Sequence, residues 1–234
     1  METLEDIALA YLDDEVFYSV LINIIHRNLG TVLAASDQGV LLRTHGKVAM
    51  ISSANTATAQ AMLESAAVDD CRTFVVCEEP TLNVVEQRYG FQHHTPVNPS
   101  AYLGDPLPVI HRPDLRIDTL SSKWGDWVAD HYGMDNPRYV RSRVEAGEVW
   151  GLFHSEEILG FIGLHEQGSM GMLEILEEHR RQGYAEYLLT FLTNKLLAEG
   201  VLPHDHIIVG NEASVRLQQK LDFTISDRTL WWVS

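Results

Sequence analysis

The sequence predicts an α/β fold, a mixed central sheet flanked by helices, on three observations. Short apolar runs such as TVLAAS, GVLLRT, KVAMISS and TFVVC alternate with longer stretches whose apolar residues recur at helical spacing. With 45% hydrophobic and 21% charged residues in 234, the chain has ordinary globular composition and can bury a real core. Five of the eight prolines fall within QHHTPVNPSAYLGDPLPVIHRP, a stretch with neither helical nor strand periodicity that separates two parts. The expected organisation is an N-terminal domain over residues 1–95, a proline-rich linker over 96–113 and a second domain over 114–234.

Before the prolines, one apolar helix is expected from about Ile7 to Arg27, then strands TVLAAS, GVLLRT and KVAMISS, the last two joined at His45-Gly46 in hairpin style. NTATAQAMLESAA reads as a helix capped by Asn55 or Thr56. TFVVC reads as a buried strand and TLNVVEQRYGF as a helix ending near Gly90. After the prolines come strand LRIDTL, helices SSKWGDWVADHY and PRYVRSRVEAG, and strands VWGLFH, ILGFIGLH and SMGMLEIL. The long helix YAEYLLTFLTNKLLA follows, then strand HIIVG, helix ASVRLQQKL and closing strands FTIS and TLWWV. Laying LNVVEQRYGF over SVRLQQKLDF aligns Val85 with Leu217, Gln87 with Gln219, Arg88 with Lys220 and Phe91 with Phe223. Either the second part is a diverged duplicate of the first, or a short helix ending in an aromatic residue recurs by chance.

The first residues, METLEDIALAYLDDEV, lack the basic and apolar regions of a signal peptide, and VFYSVLINII is too short to span a bilayer. A cytoplasmic protein without membrane contact is expected, as monomer or homodimer. Cys71 and Cys77 flank one short strand, too far apart for a disulfide when extended, and read as buried thiols. A net charge of -16 argues against nucleic-acid and anionic-membrane partners, which need local lysine and arginine excess. It favours a cationic substrate such as an amine, or serves only solubility. His93-His94 and His204-Asp205-His206 contain metal-ligand types, but neighbours on a strand point oppositely and neither cluster brings a third ligand at helical spacing, so no metal is expected. Trp124 and Trp127, three apart on a helix, read as core or as the wall of an acceptor pocket.

The segment LEEHRRQGYAEYLLTFL holds the chemistry. From Ala185 the apolar positions Leu188, Leu189, Leu192 and Leu196 make a core-facing helix. At its mouth, several backbone N–H groups lack intrahelical partners, the helix dipole adds partial positive charge, and Gly183 allows close approach of a ligand. A diphosphate fits this description, cradled by Arg180, Arg181, Gln182, Gly183, Tyr184 and Ala185, with Glu186 in the first turn.

Arg180, Gly183 and Ala185 match the Arg/Gln-x-x-Gly-x-Gly/Ala loop of the GNAT superfamily of N-acetyltransferases, and VGNEASVRLQQKLDF resembles its second signature through Asn211, Ser214 and Phe223, with Asp222 where glycine is usual. The element order from Leu115 to Val233 also follows that family, and the whole chain looks most like its glycine N-acyltransferase branch. The resemblance implies a GNAT fold in the second part, with a degenerate, GNAT-like first part lacking the phosphate loop. It implies acetyl-CoA or another acyl-CoA as cosubstrate, held by Leu173, Ile175 and Leu176 of the strand SMGMLEIL, by residues 180–186, and by Asn211 and Ser214. It further implies transfer to a primary amine of a small molecule by direct attack in a ternary complex.

Such transfer needs a neutral amine, a held carbonyl and a proton for the leaving thiolate. The position where relatives often carry a glutamate base holds Ser169, and that of their tyrosine acid holds Gln218. Glu174, a carboxylate in an apolar strand, and Glu166 in the LHEQGSM hairpin are the candidate bases, with His165 ranked below them and Ser214 a candidate proton donor. The bland alternative pairs Glu174 with a nearby arginine. A chain that binds acyl-CoA without turnover is the competing expectation.

Overall fold

Asp13 and Asp14 divide the apolar start of the chain. Where one helix is expected from Ile7 to Arg27, the computed structural model, which describes residues 2–133 and 136–234, has two: α1 (Leu4–Tyr11) and α2 (Ser19–His26). The Asp14 carboxylate accepts the Phe17 N–H at 2.9 Å, a local bond that competes with helix continuation. Thr3 and Asp6 close a reciprocal capping box at the start of α1.

By its contacts the chain forms two compact units. The first comprises Met1–Ala101, His206–Val215 and Thr224–Ser234, the second Tyr102–Asp205 and Arg216–Phe223. In the first unit β1 (Gly30–Ser36), β2 (Gly39–Thr44) and β3 (Val48–Ser53) form an antiparallel meander. Helix α3 (Thr56–Ser65), capped by the Asn55 side chain as expected, then carries the chain across to β4 (Thr73–Val76), parallel to β3. Helix α4 (Glu79–Tyr89) ends on left-handed Gly90. Leu41 and Leu42, adjacent in β2, face opposite sides. Leu42 joins Phe17, Leu21 and Met50 under α1 and α2, and Leu41 joins Leu63, Phe74 and Val85 under α3 and α4. A sheet covered on both faces explains why its strands are nearly continuous apolar runs.

The proline-rich stretch is not all linker. Its first part is the strand β5 (His94–Ala101). Pro96 and Pro99 offer no N–H, which hides the strand from a propensity reading, but their carbonyls accept the N–H groups of Val209 and Ser226 at 3.0 and 2.9 Å. The last strand, β12 (Leu230–Val233), lies between β4 and β5, antiparallel to both, and the two-residue β11 (Thr224–Ile225) pairs with β5. The end of the chain therefore completes the sheet of the first unit rather than the second.

In the second unit β6 (Leu115–Thr119), β7 (Val149–His154), β8 (Glu157–Leu164) and β9 (Met170–Ile175) run as an antiparallel meander. A 3-10 turn (Ser122–Trp124), α5 (Gly125–His131) and α6 (Pro137–Glu145) cover one face, where Trp124 and Trp127 pack edge-on to Phe153 and Phe161. Both tryptophans are partly buried and pack against this core. The fifteen-residue α7 (Tyr184–Ala198) covers the other face through Leu188, Leu189, Leu192 and Leu196. It leads to β10 (His204–Ile208), whose Asp205 pairs with Met170 in parallel. Helix α8 is Glu212–Lys220. Cys71 and Cys77 are buried free thiols, and among the described residues no helix is long and apolar enough to cross a membrane.

Candidate functional site

The site begins with an irregularity in β9. Phe161 faces Glu174 while Gly163 faces Gly171, so β9 holds one extra residue there, and Met172 takes up the strain at φ 50°. A left-handed non-glycine residue costs about 1–2 kcal/mol, and the buried Met172 side chain helps hold it in place. On its other edge β9 is matched to β10 only at Met170, through Asp205. From the bulge onward, among the described residues, that edge of β9 has no strand partner.

After β9 a 3-10 turn (Glu177–His179) leads into the loop Arg180–Gly183. Arg181 and Gly183 both have positive φ, 63° and 83°, and Gly183 serves as the N-cap of α7 without any side-chain cap bond. The first N–H groups of a long helix are therefore uncapped by a side chain, at its positive dipole end. A Cβ added at Gly183 would meet nothing within 4 Å, so the glycine serves its backbone angle and leaves open space above the loop.

That space is a cavity of about 330 Å³. Of the expected cosubstrate residues, Ile175, Arg180, Arg181, Gly183, Tyr184, Ala185 and Glu186 line it. Leu173, Leu176, Gln182, Asn211 and Ser214 are not among its lining residues, although Gln182 accepts a hydrogen bond from the Tyr184 hydroxyl at 3.2 Å. His179, with Arg216, Leu217 and Lys220 of α8, completes the wall, and the sequence assigns none of these four to the site. The signal on α8 is an i, i+4 pair of cations on one helix face. Four cationic side chains, Arg180, Arg181, Arg216 and Lys220, thus surround one cavity in a chain of net charge -16. Lys220 is held by Glu186 at 2.5 Å.

Arg180 is oriented from below. Its Nε donates to the Ile175 carbonyl at 3.0 Å and its guanidinium pairs with Glu174 at 2.8 Å. Glu174 is thus an ion-pair partner of the loop. Glu166 lies in the β8–β9 turn, where its backbone N–H donates to the Tyr139 hydroxyl at 3.2 Å. His165 packs against Gly171 and its Nδ1 meets the same hydroxyl at 2.9 Å. Burial, with the Arg143 charge adding to it, pushes the His165 imidazole down to about 4, so it is neutral at physiological pH. In the first unit Asn211 caps the start of α8, its side-chain oxygen accepting the Ser214 N–H at 3.1 Å. Among the described residues no group of three or more metal-ligating side chains is arranged to hold a metal ion.

Known proteins supply the context. Residues 149–232 match the FR47-like protein family. A GCN5-related N-acetyltransferase-like protein from Streptococcus suis superposes with a TM-score of 0.60 at 10% identity, covering 97% of each chain. The fold is that of the GCN5-related N-acetyltransferases. A GCN5-related N-acetyltransferase from Kribbella flavida superposes over 100% of this chain and 95% of its own with a TM-score of 0.55 at 15% identity. A Drosophila protein reaches a TM-score of 0.66 at 15% identity over 83% of this chain and 73% of its own. No curated protein matches the sequence.

Proposed function

We propose that the chain is an acyl-CoA-dependent N-acyltransferase, resembling the glycine N-acyltransferase branch of the GNAT superfamily, that moves an acetyl or related acyl group onto the primary amine of a small molecule. The observation that carries this reading is the cavity over Gly183. An uncapped helix start, a left-handed glycine and four cations are what a diphosphate requires. Arg180, Arg181, Arg216 and Lys220 would hold the diphosphate, and the unpaired edge of β9 beyond Met172 offers backbone groups to an amide-bearing arm such as pantetheine. The acyl-CoA supplies the activated thioester.

In this reading the acidic surface favours cationic amines as encounter partners, and Glu174 tunes Arg180 rather than meeting the amine. The test is direct. The purified protein, given acetyl-CoA and a panel of small primary amines, should release free thiol in step with N-acylated product seen by mass spectrometry. Release at the uncatalysed rate with every amine, from a protein that CoA still stabilises against heat, would replace this reading by that of an acyl-CoA-binding protein without turnover.

A further inference from the structure

Asp205 begins its unit's parallel contact with β9, and its surroundings are unusual for a carboxylate. One oxygen accepts a hydrogen bond from the Gln218 side-chain amide, and the other, Oδ1, is shut off from solvent with no partner among the described residues. An orphaned buried carboxylate oxygen costs stability and calls for a reason. Its position supplies one. Ile175, at the far end of β9, lines the diphosphate cavity, while Asp205 is registered with Met170 at the near end. Five residues, the left-handed Met172 among them, separate Ile175 from Met170, a span of at most about 16 Å and within the reach of an extended pantetheine arm. Helix α8 repeats the relation: Leu217 lines the cavity and the adjacent Gln218 holds Asp205.

We propose that Asp205 is the proton carrier of the acyl transfer assigned above, with Gln218 as its positioning residue, an inference that rests on that assignment. The amine lone pair forms the N–C bond at the thioester carbonyl, and the C–S bond breaks with its electron pair leaving on sulfur. The proton lost by nitrogen passes to Asp205 Oδ1 and from there to the thiolate, giving amide and free thiol with nothing left over. Glu174 is committed to Arg180, and Glu166, although its turn leads into this end of β9, is held there by its backbone N–H on the Tyr139 hydroxyl.

Burial raises the Asp205 carboxyl to about 7, opposed by the Gln218 hydrogen bond, which puts a proton exchanger at its most effective near neutrality. Met170 of β9 is its register partner, Gln218 of α8 donates to it, His204 and His206 are its chain neighbours, and no charged side chain contributes to the shift.

The test compares the full-length protein with Asp205→Asn. The variant should bind CoA within about twofold of wild type, while kcat falls about 100-fold, the low end for loss of a general acid-base. The limb of the wild-type kcat profile centred near pH 7 should vanish with it. A 13C carboxyl signal that titrates near neutrality in wild type, is absent from the variant and moves on adding acetyl-CoA should report the same group. Turnover within about threefold of wild type, with the limb kept, overturns the role of Asp205 alone. No thiol release from wild type with any amine, while that carboxyl signal still responds to acetyl-CoA, overturns the acyl-transfer reading and the role together.

Discussion

Burial holds both Asp205 and His165 neutral through mildly acidic pH, and the two make opposite demands on stability. The folded Asp205 keeps its proton from the ordinary value of 3.8 up to about 7 while the unfolded chain loses it, so this group's contribution falls as pH rises through that window. The folded His165 stays unprotonated down to about 4 while the unfolded chain takes up a proton below 6.5, so its contribution is lost as pH falls. Between pH 4.5 and 6.5 the two slopes nearly cancel, the full spans being about 4 kcal/mol for Asp205 and about 3 kcal/mol for His165. Asp205→Asn should therefore make thermal stability rise with pH across this range, and His165→Asn should make it fall. Melting curves at four pH values check both, and flat profiles in both variants would deny that these groups are buried neutral. The sequence marks His165 as a candidate base and Asp205 only as part of a metal-like cluster. What separates them is their neighbours, a tyrosine hydroxyl from α6 and an amide from α8, which arrive from distant parts of the chain.

At the scale of elements, the loop before α7 is the part most legible in sequence, because Gly183 and the helix behind it are local features. The α8 wall of the cavity is less so. Nothing in ASVRLQQKL ties Arg216 and Lys220 to the loop, because the link is Lys220 reaching Glu186, thirty-four residues away. The Met172 bulge is invisible in SMGMLEIL because it exists only in the register between β8 and β9. Replacing Arg216 and Lys220 together by alanine should weaken CoA binding about tenfold at low salt, with a smaller loss at 0.5 M salt where such charges are screened. Calorimetric titration at the two ionic strengths reads this directly. Equal affinity of wild type and double variant at low salt would remove α8 from the site.

At the scale of the whole molecule, the order of elements is legible but their assignment to units is not. Nothing in TLWWV states that it will pair with TFVVC and with a proline-bearing strand more than a hundred residues earlier, since pairing partners are chosen by edges that only the folded sheet presents. Leu230 and Val233 are buried there, worth about 2 kcal/mol each, along with two ladders of backbone bonds. Deleting residues 229–234 should therefore destabilise the first unit, and limited proteolysis should cut preferentially before residue 101. Cleavage confined to residues 114–205 would contradict the placement of β12. The central claim is that the loop before α7 holds the diphosphate of an acyl-CoA, and it is tested most directly by calorimetric titration of CoA into wild type and Gly183→Trp. Wild type should bind, and the variant should bind at least tenfold more weakly while losing only the roughly 1–2 kcal/mol of a side chain forced into a left-handed residue. Unchanged CoA affinity in a folded Gly183→Trp protein would contradict it.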